Sequence, residues 1–305
     1  VTGVQTCALP IYLIANRAAI EGPVGFAALM LLLACLLLEL KPFPANGWGL
    51  DVYETAPCSV AALIATGVSA GVFFALYNLF PLFENHAEVI AILGAATFVV
   101  SNLIGLAQTK AQRLLGYSSV GQMGLVSMAL ALLHLFNAEA MIPLIVGGLF
   151  VNHLLAKAGL FWLTGYVGKE NIEDWCVLTD RPAISVFALL LCAIAGLPPF
   201  PAFWAKWQLI LALASGGGYV WIALVLLGSL LEAAYLFRWF GQSLHRSTDS
   251  SASGRDPLGL LPVFGAALLL FVCGYGAARL AGLNSLWVAV PLAAGAAVYL
   301  LDGLS

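Results

Sequence analysis

The sequence predicts an all-α fold: a polytopic membrane helix bundle with about nine spanning helices, one of them broken near Pro198-Pro199. Three observations lead there. Hydrophobic residues make up 62% of the 305 and charged residues only 9%, against about 25% charged in soluble domains. Apolar runs recur along the chain at close to the roughly 17–25 residues a helix needs to cross a bilayer. Between them lie short segments that collect the prolines, the glycines and most of the charge.

Taken in order, residues 1–11 (VTGVQTCALPI) have neither the basic stretch nor the apolar core of a signal peptide. The string resembles the translation of a sequencing-adapter oligonucleotide. It is expected to be a fused artefact, with native sequence starting near Tyr12 inside a longer protein. Tyr12 to Ile20 is too short to span and reads as the end of a cut helix. Val24 to Leu40 is a span with Glu39 and Lys41 at its exit. Pro42-Phe-Pro44 ends it, because proline lacks a backbone donor and restrains the residue before it. A polar loop over 45–57 carries Asp51 and Glu54. Spans follow at about 58–80, 86–108, 114–135 and 140–167. The loop 168–181 is the most charged part of the chain. Ala183 to Ala214 is apolar but interrupted by Gly196-Leu-Pro-Pro-Phe-Pro201, whose prolines would cost about 3 kcal/mol each inside a helix, so a break is forced. Spans at about 219–241, 257–279 and 284–302 complete the set. Residues 12–241 are expected to form one partial transmembrane domain, and 242–305 a pair of C-terminal helices.

Loop charge orients the bundle. If the interrupted stretch crosses once, one side collects Lys110, Arg113, Lys169, Arg181, Arg238, Arg246 and Arg255, and the other keeps Arg17 and Arg279. The positive-inside rule then makes the Lys110 side cytoplasmic. Twelve basic and fifteen acidic residues give a net charge of −3, which offers no nucleic-acid surface. The six cysteines form no CxxC pair and read as small buried hydrophobes, so neither a metal site nor a redox cofactor is expected. No phosphate loop, HExxH motif, Ser-His-Asp cue or dinucleotide fingerprint appears.

Chemistry is expected where ionisable groups interrupt apolar runs. Lys157 lies well inside its run, with His153 one helical turn earlier on the same face and Asn152 beside it. A lysine at mid-membrane costs about 2.5–3.5 kcal/mol on insertion scales, and chains keep one where it faces protein or water and titrates. A buried amine has a depressed pKa that a nearby carboxylate raises again, so such a group can load and release a proton. His153 suits a relay because its unperturbed pKa is near 6.5. Lys206 follows the Pro198-Pro199 break, where freed backbone groups need protein or a water-filled cavity. The alternative for Lys206 is a snorkelling side chain between Trp204 and Trp207. Glu232 is mid-span; it can pair with a lysine or hold a local bond to Tyr235. Lys41, Glu39 and His134, at the ends of spans, complete the candidate proton path. Gly67 and Gly71 form a small-xxx-small pair suited to helix packing.

Four segments, in order, resemble one family. Phe43-Pro to Trp48, followed by Asp51-Val-Tyr-Glu-Thr-Ala-Pro57, is like its F-P-x-x-x-W-x-x-D-x-Y-E-x-A-P segment. Arg113-Leu-Leu-Gly-Tyr-Ser-Ser-Val-Gly-Gln-Met-Gly124 resembles its K/R-R-x-L-A/G-Y-S-S-I-x-x-M/L-G signature. His153-Leu-Leu-Ala-Lys-Ala-Gly-Leu-Phe161 is similar to H-x-x-x-K-A-x-L-F, and Ala195 to Lys206 to A-G-x-P-P-x-x-G-F-x-x-K. The family is the antiporter-like membrane subunits of respiratory complex I, membrane-bound hydrogenases and multisubunit sodium/proton antiporters. The resemblance implies two inverted repeats, each with a broken helix, and a central row of lysine, histidine and glutamate that conducts protons. It matches Lys157 to the central lysine and Lys206 to the terminal one. The first-repeat lysine falls at Glu39, with Lys41 two residues on, and a further lysine of the family is replaced by Ala70 and Gly71.

The expected function is therefore proton translocation by a membrane subunit of an NADH:quinone oxidoreductase or hydrogenase-type complex, with redox energy supplied by partner subunits. The expected partners are those subunits, the lipid bilayer of a prokaryotic inner membrane, and protons. A sodium/proton antiporter subunit, with sodium as second ion, is the alternative within the family. A structural subunit that does not conduct, and a solute carrier with its site at Pro198-Pro199, are the alternatives outside it.

Overall fold

The computed structural model describes residues 14, 22–245 and 257–282. The expected artefact at 1–11, nearly all of the cut helix at 12–20, and the span at 284–302 lie outside them. Among the described residues the protein is all helix, with no strand. Helix α1 is Pro23–Glu39 and begins on a proline, whose missing N–H is no loss in a first turn. It ends as Lys41 adopts a left-handed φ of 59°. The chain then re-forms a helix, α2, over Gly47–Thr55. The expected loop at 45–57 is thus the second half of a broken helix, and the bundle has two interruptions, this one and the one at Pro198-Pro199.

Spans α3 (Cys58–Leu82), α4 (Glu84–Gly105), α5 (Ala111–Leu135) and α6 (Glu139–Val167) follow, then α9 (Tyr219–Leu244) and α10 (Leu258–Leu280) after the second broken helix. These six are long and apolar enough to cross a membrane. The second broken helix is α7 (Arg181–Ala195) and α8 (Pro201–Ser215). At fifteen residues each, neither half spans alone. Gly196 carries the left-handed turn between them, with φ 79°.

The charged loops meet at one end of the bundle. Lys110 pairs with Asn171 in an isolated bridge, and the Ala111 and Ile172 amides donate to the Glu170 and Thr109 carbonyls. Arg238 donates to the carbonyls of Leu106 and Gln108. The end of α2 joins the same face through Asp51 and Glu54. So α1/α2 runs toward this face while α7/α8 runs away from it. The two broken helices are inverted with respect to each other.

Helix α5 is the axis. Every residue from Leu114 to Leu133 is buried, although this span carries more hydroxyl and amide groups than its neighbours. Those groups find partners inside, while leucines such as Leu31, Leu63, Leu230 and Leu268 face outward, as expected of a surface solvated by lipid. Gly94 of α4 and Gly124 of α5 touch backbone to backbone: a Cβ on either would lie 2.7 Å from the other's carbonyl oxygen. The cysteines differ from the buried hydrophobes expected. Cys35 is exposed, Cys58, Cys176, Cys192 and Cys273 are half-buried, and all five are free.

Candidate functional site

Three spans place the central groups. Lys157 of α6 and Glu232 of α9 are both fully enclosed. Between them stands Ser118 of α5: the Lys157 ammonium donates to Ser118 Oγ, and Ser118 donates to Glu232 Oε1 at 2.6 Å. Gln122, one turn along α5 from Ser118, donates to Glu232 Oε2. The carboxylate thus has a donor on each oxygen, and the lysine reaches it through one hydroxyl. Tyr235 does not bond Glu232, as expected of a local pair; its hydroxyl donates instead to Asn102 Oδ1 of α4 at 2.8 Å.

On the first-break side, His153 Nε2 lies 3.2 Å from the Ala65 carbonyl. A carbonyl only accepts, so this contact assigns the ring proton to Nε2 and leaves Nδ1 as a buried base with no hydrogen-bond partner among the described residues. Ala65 lies in a π-helical turn, Ile64–Val68, that interrupts α3. Such a turn shifts the i→i+4 ladder by one residue and is frequent at functional sites. His153 lies within the electrostatic field of both Lys157 and Lys41. Lys41 itself is buried, 5.3 Å from the Trp48 ring centroid and 5.9 Å from that of Tyr53, and its ammonium donates to the Glu39 carbonyl at 3.0 Å. Glu39's side chain is exposed. Of the two candidates at this position, Lys41 is the one that points inward.

On the second-break side, Lys206 is buried and folds back along Gly196, where an added Cβ would lie 3.1 Å from its ammonium nitrogen. Nζ has no hydrogen-bond partner among the described residues, and it lies within the electrostatic field of Glu232. Trp207 faces outward while Trp204 is buried and donates to the Pro199 carbonyl at 3.3 Å. Lys206 therefore does not snorkel. Five ionisable groups are thus electrostatically coupled in succession: Lys41 to His153, His153 to Lys157, and Lys157 and Lys206 to Glu232.

His134 stands apart. Sixteen residues beyond Ser118 on α5, it is about 24 Å along the helix at 1.5 Å per residue. It pairs with Glu139 at 3.2 Å beside a cavity of about 330 Å³ lined by Tyr77, Glu84 and Ile142. At the opposite end, Lys110 and Arg113 bind Glu54, and Arg113 also binds Asp51 at 2.9 Å. The Lys110 ammonium, with the Arg113 guanidinium second, holds the Glu54 carboxyl below its usual range. Gln112 Nε2 donates to the Tyr53 and Ala56 carbonyls and so caps α2 from outside.

The sequence marks the charged groups as candidates but not Ser118 and Gln122, which hydrogen-bond to them. Their signal is positional: Ser118 and Gln122 lie four apart, on one face of their span. Among the described residues no group of three or more His, Cys, Asp or Glu side chains is placed to hold a metal.

Comparison with known proteins bears on this geometry. Residues 7–232 match the family model described as NADH:quinone oxidoreductase/Mrp antiporter, TM. The chain is 30% identical over 234 residues to NADH-quinone oxidoreductase subunit N of Desulforudis audaxviator, covering 72% of this chain and 45% of that protein. It spans about half the length of the curated relatives it matches. A subunit of respiratory complex I from Thermus thermophilus is similar at 28% identity and TM-score 0.67, over 88% of this chain and 64% of that one. A chain of the Mrp complex from a Dietzia species shares the fold at 18% identity and TM-score 0.70, over 92% of this chain and 64% of that one.

Proposed function

Because the chain belongs to the NADH:quinone oxidoreductase/Mrp antiporter transmembrane family, we propose that the full-length protein is a proton-translocating subunit of a larger redox complex in a prokaryotic inner membrane. Lys157 is the centre of its path. The observation that carries this reading is the buried bridge from Lys157 through Ser118 to Glu232, with Lys206 beyond it. A concerted transfer balances there: the Lys157 ammonium gives a proton to Ser118 Oγ as Ser118 gives its own to Glu232, leaving an amine and a carboxylic acid. A change of field at either end decides which state is favoured, because burial penalises a charged pair that is not fully compensated. Lys41 and His153 feed the row from the first break, and Lys206 receives the proton at the second. His134 and its cavity lie on the exit side.

The redox-complex reading is supported by the similarity to an NADH-quinone oxidoreductase subunit at 30% identity and to a chain of respiratory complex I at 28%. The test uses vesicles holding the full-length protein in its complex. An electron donor should build a pH gradient, and Lys157→Ala should abolish this subunit's share while electron transfer continues in uncoupler. Full pumping in Lys157→Ala overturns the role. A gradient collapsed by added sodium without any donor makes the protein an antiporter subunit.

A further inference from the structure

The break between α7 and α8 strands backbone groups inside the bundle. Pro201 has no N–H, Phe200 offers no capping side chain, and the first free amide of α8 is that of Ala202. At the end of α7, the amide of Leu197 turns to the Cys192 carbonyl, leaving Ala193 with only a 3.2 Å contact from Gly196. One buried side chain on α6 reaches both ends: Asn152 Nδ2 adds a second donor to the Ala193 carbonyl at 2.9 Å, and Asn152 Oδ1 accepts at 3.4 Å from the Ala202 amide, otherwise unpaired among the described residues. These partners fix the amide's orientation, since a flipped group would set carbonyl against carbonyl and N–H against N–H. The wall is tight elsewhere too, as a Cβ on Gly274 of α10 would strike the Pro199 carbonyl.

We propose that Asn152 is a positioning residue: a clasp, supplied from α6, that holds the two halves of the broken helix in the spacing that seats the Lys206 ammonium against Gly196. It does so by capping α8 from another helix and completing the last turn of α7 at once. Only a side chain with one donor and one acceptor at the same end does both. Asn152 precedes His153 and Lys157 on α6, so the helix that carries the central lysine also sets the geometry of the terminal one. The role in proton transfer rests on the function proposed above; the clasp itself does not.

The test compares Asn152→Ala with Asn152→Asp in the full-length protein. Hydrogen–deuterium exchange reads the clasp without reference to activity: Asn152→Ala should speed exchange in the segment 196–206 and leave α4 and α5 unchanged. Proton flux in vesicles should fall by about two-fold to thirty-fold, if it follows the population of the clasped state when a helix cap is lost. Asn152→Asp should resemble Asn152→Ala at alkaline pH, where a carboxylate faces the Ala193 carbonyl, and recover toward wild type in acid, where the protonated group donates again. Lys206 of α8, His153 and Lys157 of α6, and Glu232 of α9 titrate in both variants, so the difference between the two profiles isolates the new carboxyl. If Asn152→Ala does not accumulate, the exchange and acid recovery of Asn152→Asp decide alone. Unchanged exchange in the variants, or an Asn152→Asp profile without acid recovery, overturns the clasp. Full flux in Lys157→Ala with faster exchange in Asn152→Ala would instead reject the proton path and leave the clasp standing.

Discussion

A fully buried lysine is held in this protein by a hydroxyl, and that is the smallest unit on which its chemistry turns. Ser118 is at once acceptor from Lys157 and donor to Glu232. Replacing it with alanine removes the shared proton carrier and leaves both charges short of a buried partner. Ser118→Ala should slow proton transfer by roughly 10²-fold, the lower end of what a positioned proton-transfer group contributes. Ser118→Thr, which keeps the hydroxyl, should retain most of the rate; equal loss in both variants, measured as vesicle acidification, would assign Ser118 to packing. Lysine and glutamate inside apolar runs are costly enough to be legible in sequence, and Lys157, Lys206 and Glu232 stand out for that reason. A serine or asparagine in a span costs little, with interhelical hydrogen bonds averaging about 0.6 kcal/mol. Ser118 and Gln122 therefore carry only the weak mark of their spacing, though they hydrogen-bond to the groups that stand out.

At the scale of the element, the two broken helices differ in how openly the chain announces them. Pro198, Pro199 and Pro201 leave no alternative to a break. The first break reads as a plain loop, because Pro42, Pro44, Gly47 and Gly49 are turn residues and a nine-residue helix is marginal by itself. What makes α2 a helix is tertiary: Gln112 caps its last carbonyls, Lys110 and Arg113 hold Asp51 and Glu54, and Lys41 packs along Gly49. Two outcomes follow for α2. Gln112→Ala should raise amide exchange across 47–56 while leaving α5 protected; equal protection in both proteins would remove the cap from the account. Glu54, whose folded pKa is depressed chiefly by Lys110, adds stability that is present at neutral pH, above its unfolded value, and is lost as pH falls through the folded one. The melting temperature should accordingly drop in acid, and Glu54→Gln should flatten part of that dependence.

For the molecule as a whole, the organising fact is an inside-out polarity: hydroxyls and amides line the axis around α5 while leucines cover the surface. Helices approach closely where glycines allow it, at Gly94 and Gly124, and at Gly274 over the broken helix. Gly124→Leu should be severely destabilising because backbone, not a flexible side chain, stands in the way, and overpacking of this kind typically costs about 1–3 kcal/mol or more. A variant with wild-type melting temperature in nanodiscs would show that α4 and α5 can move apart. The all-helical membrane architecture was legible from composition and run length. The inverted relation of the two breaks is implied only by the family resemblance and not by composition or run length, since it depends on which loops meet, and the contacts of Lys110, Asn171, Glu54 and Arg238 show it.

The central claim is that Lys157 and Glu232 act as one unit through Ser118, and a double-mutant cycle on proton flux addresses it directly. In vesicles of the full-length complex, Lys157→Met, Glu232→Gln and the double variant should lose flux to nearly the same extent, as groups that act together do. Losses that multiply in the double variant, or either single variant at full flux, would contradict the account.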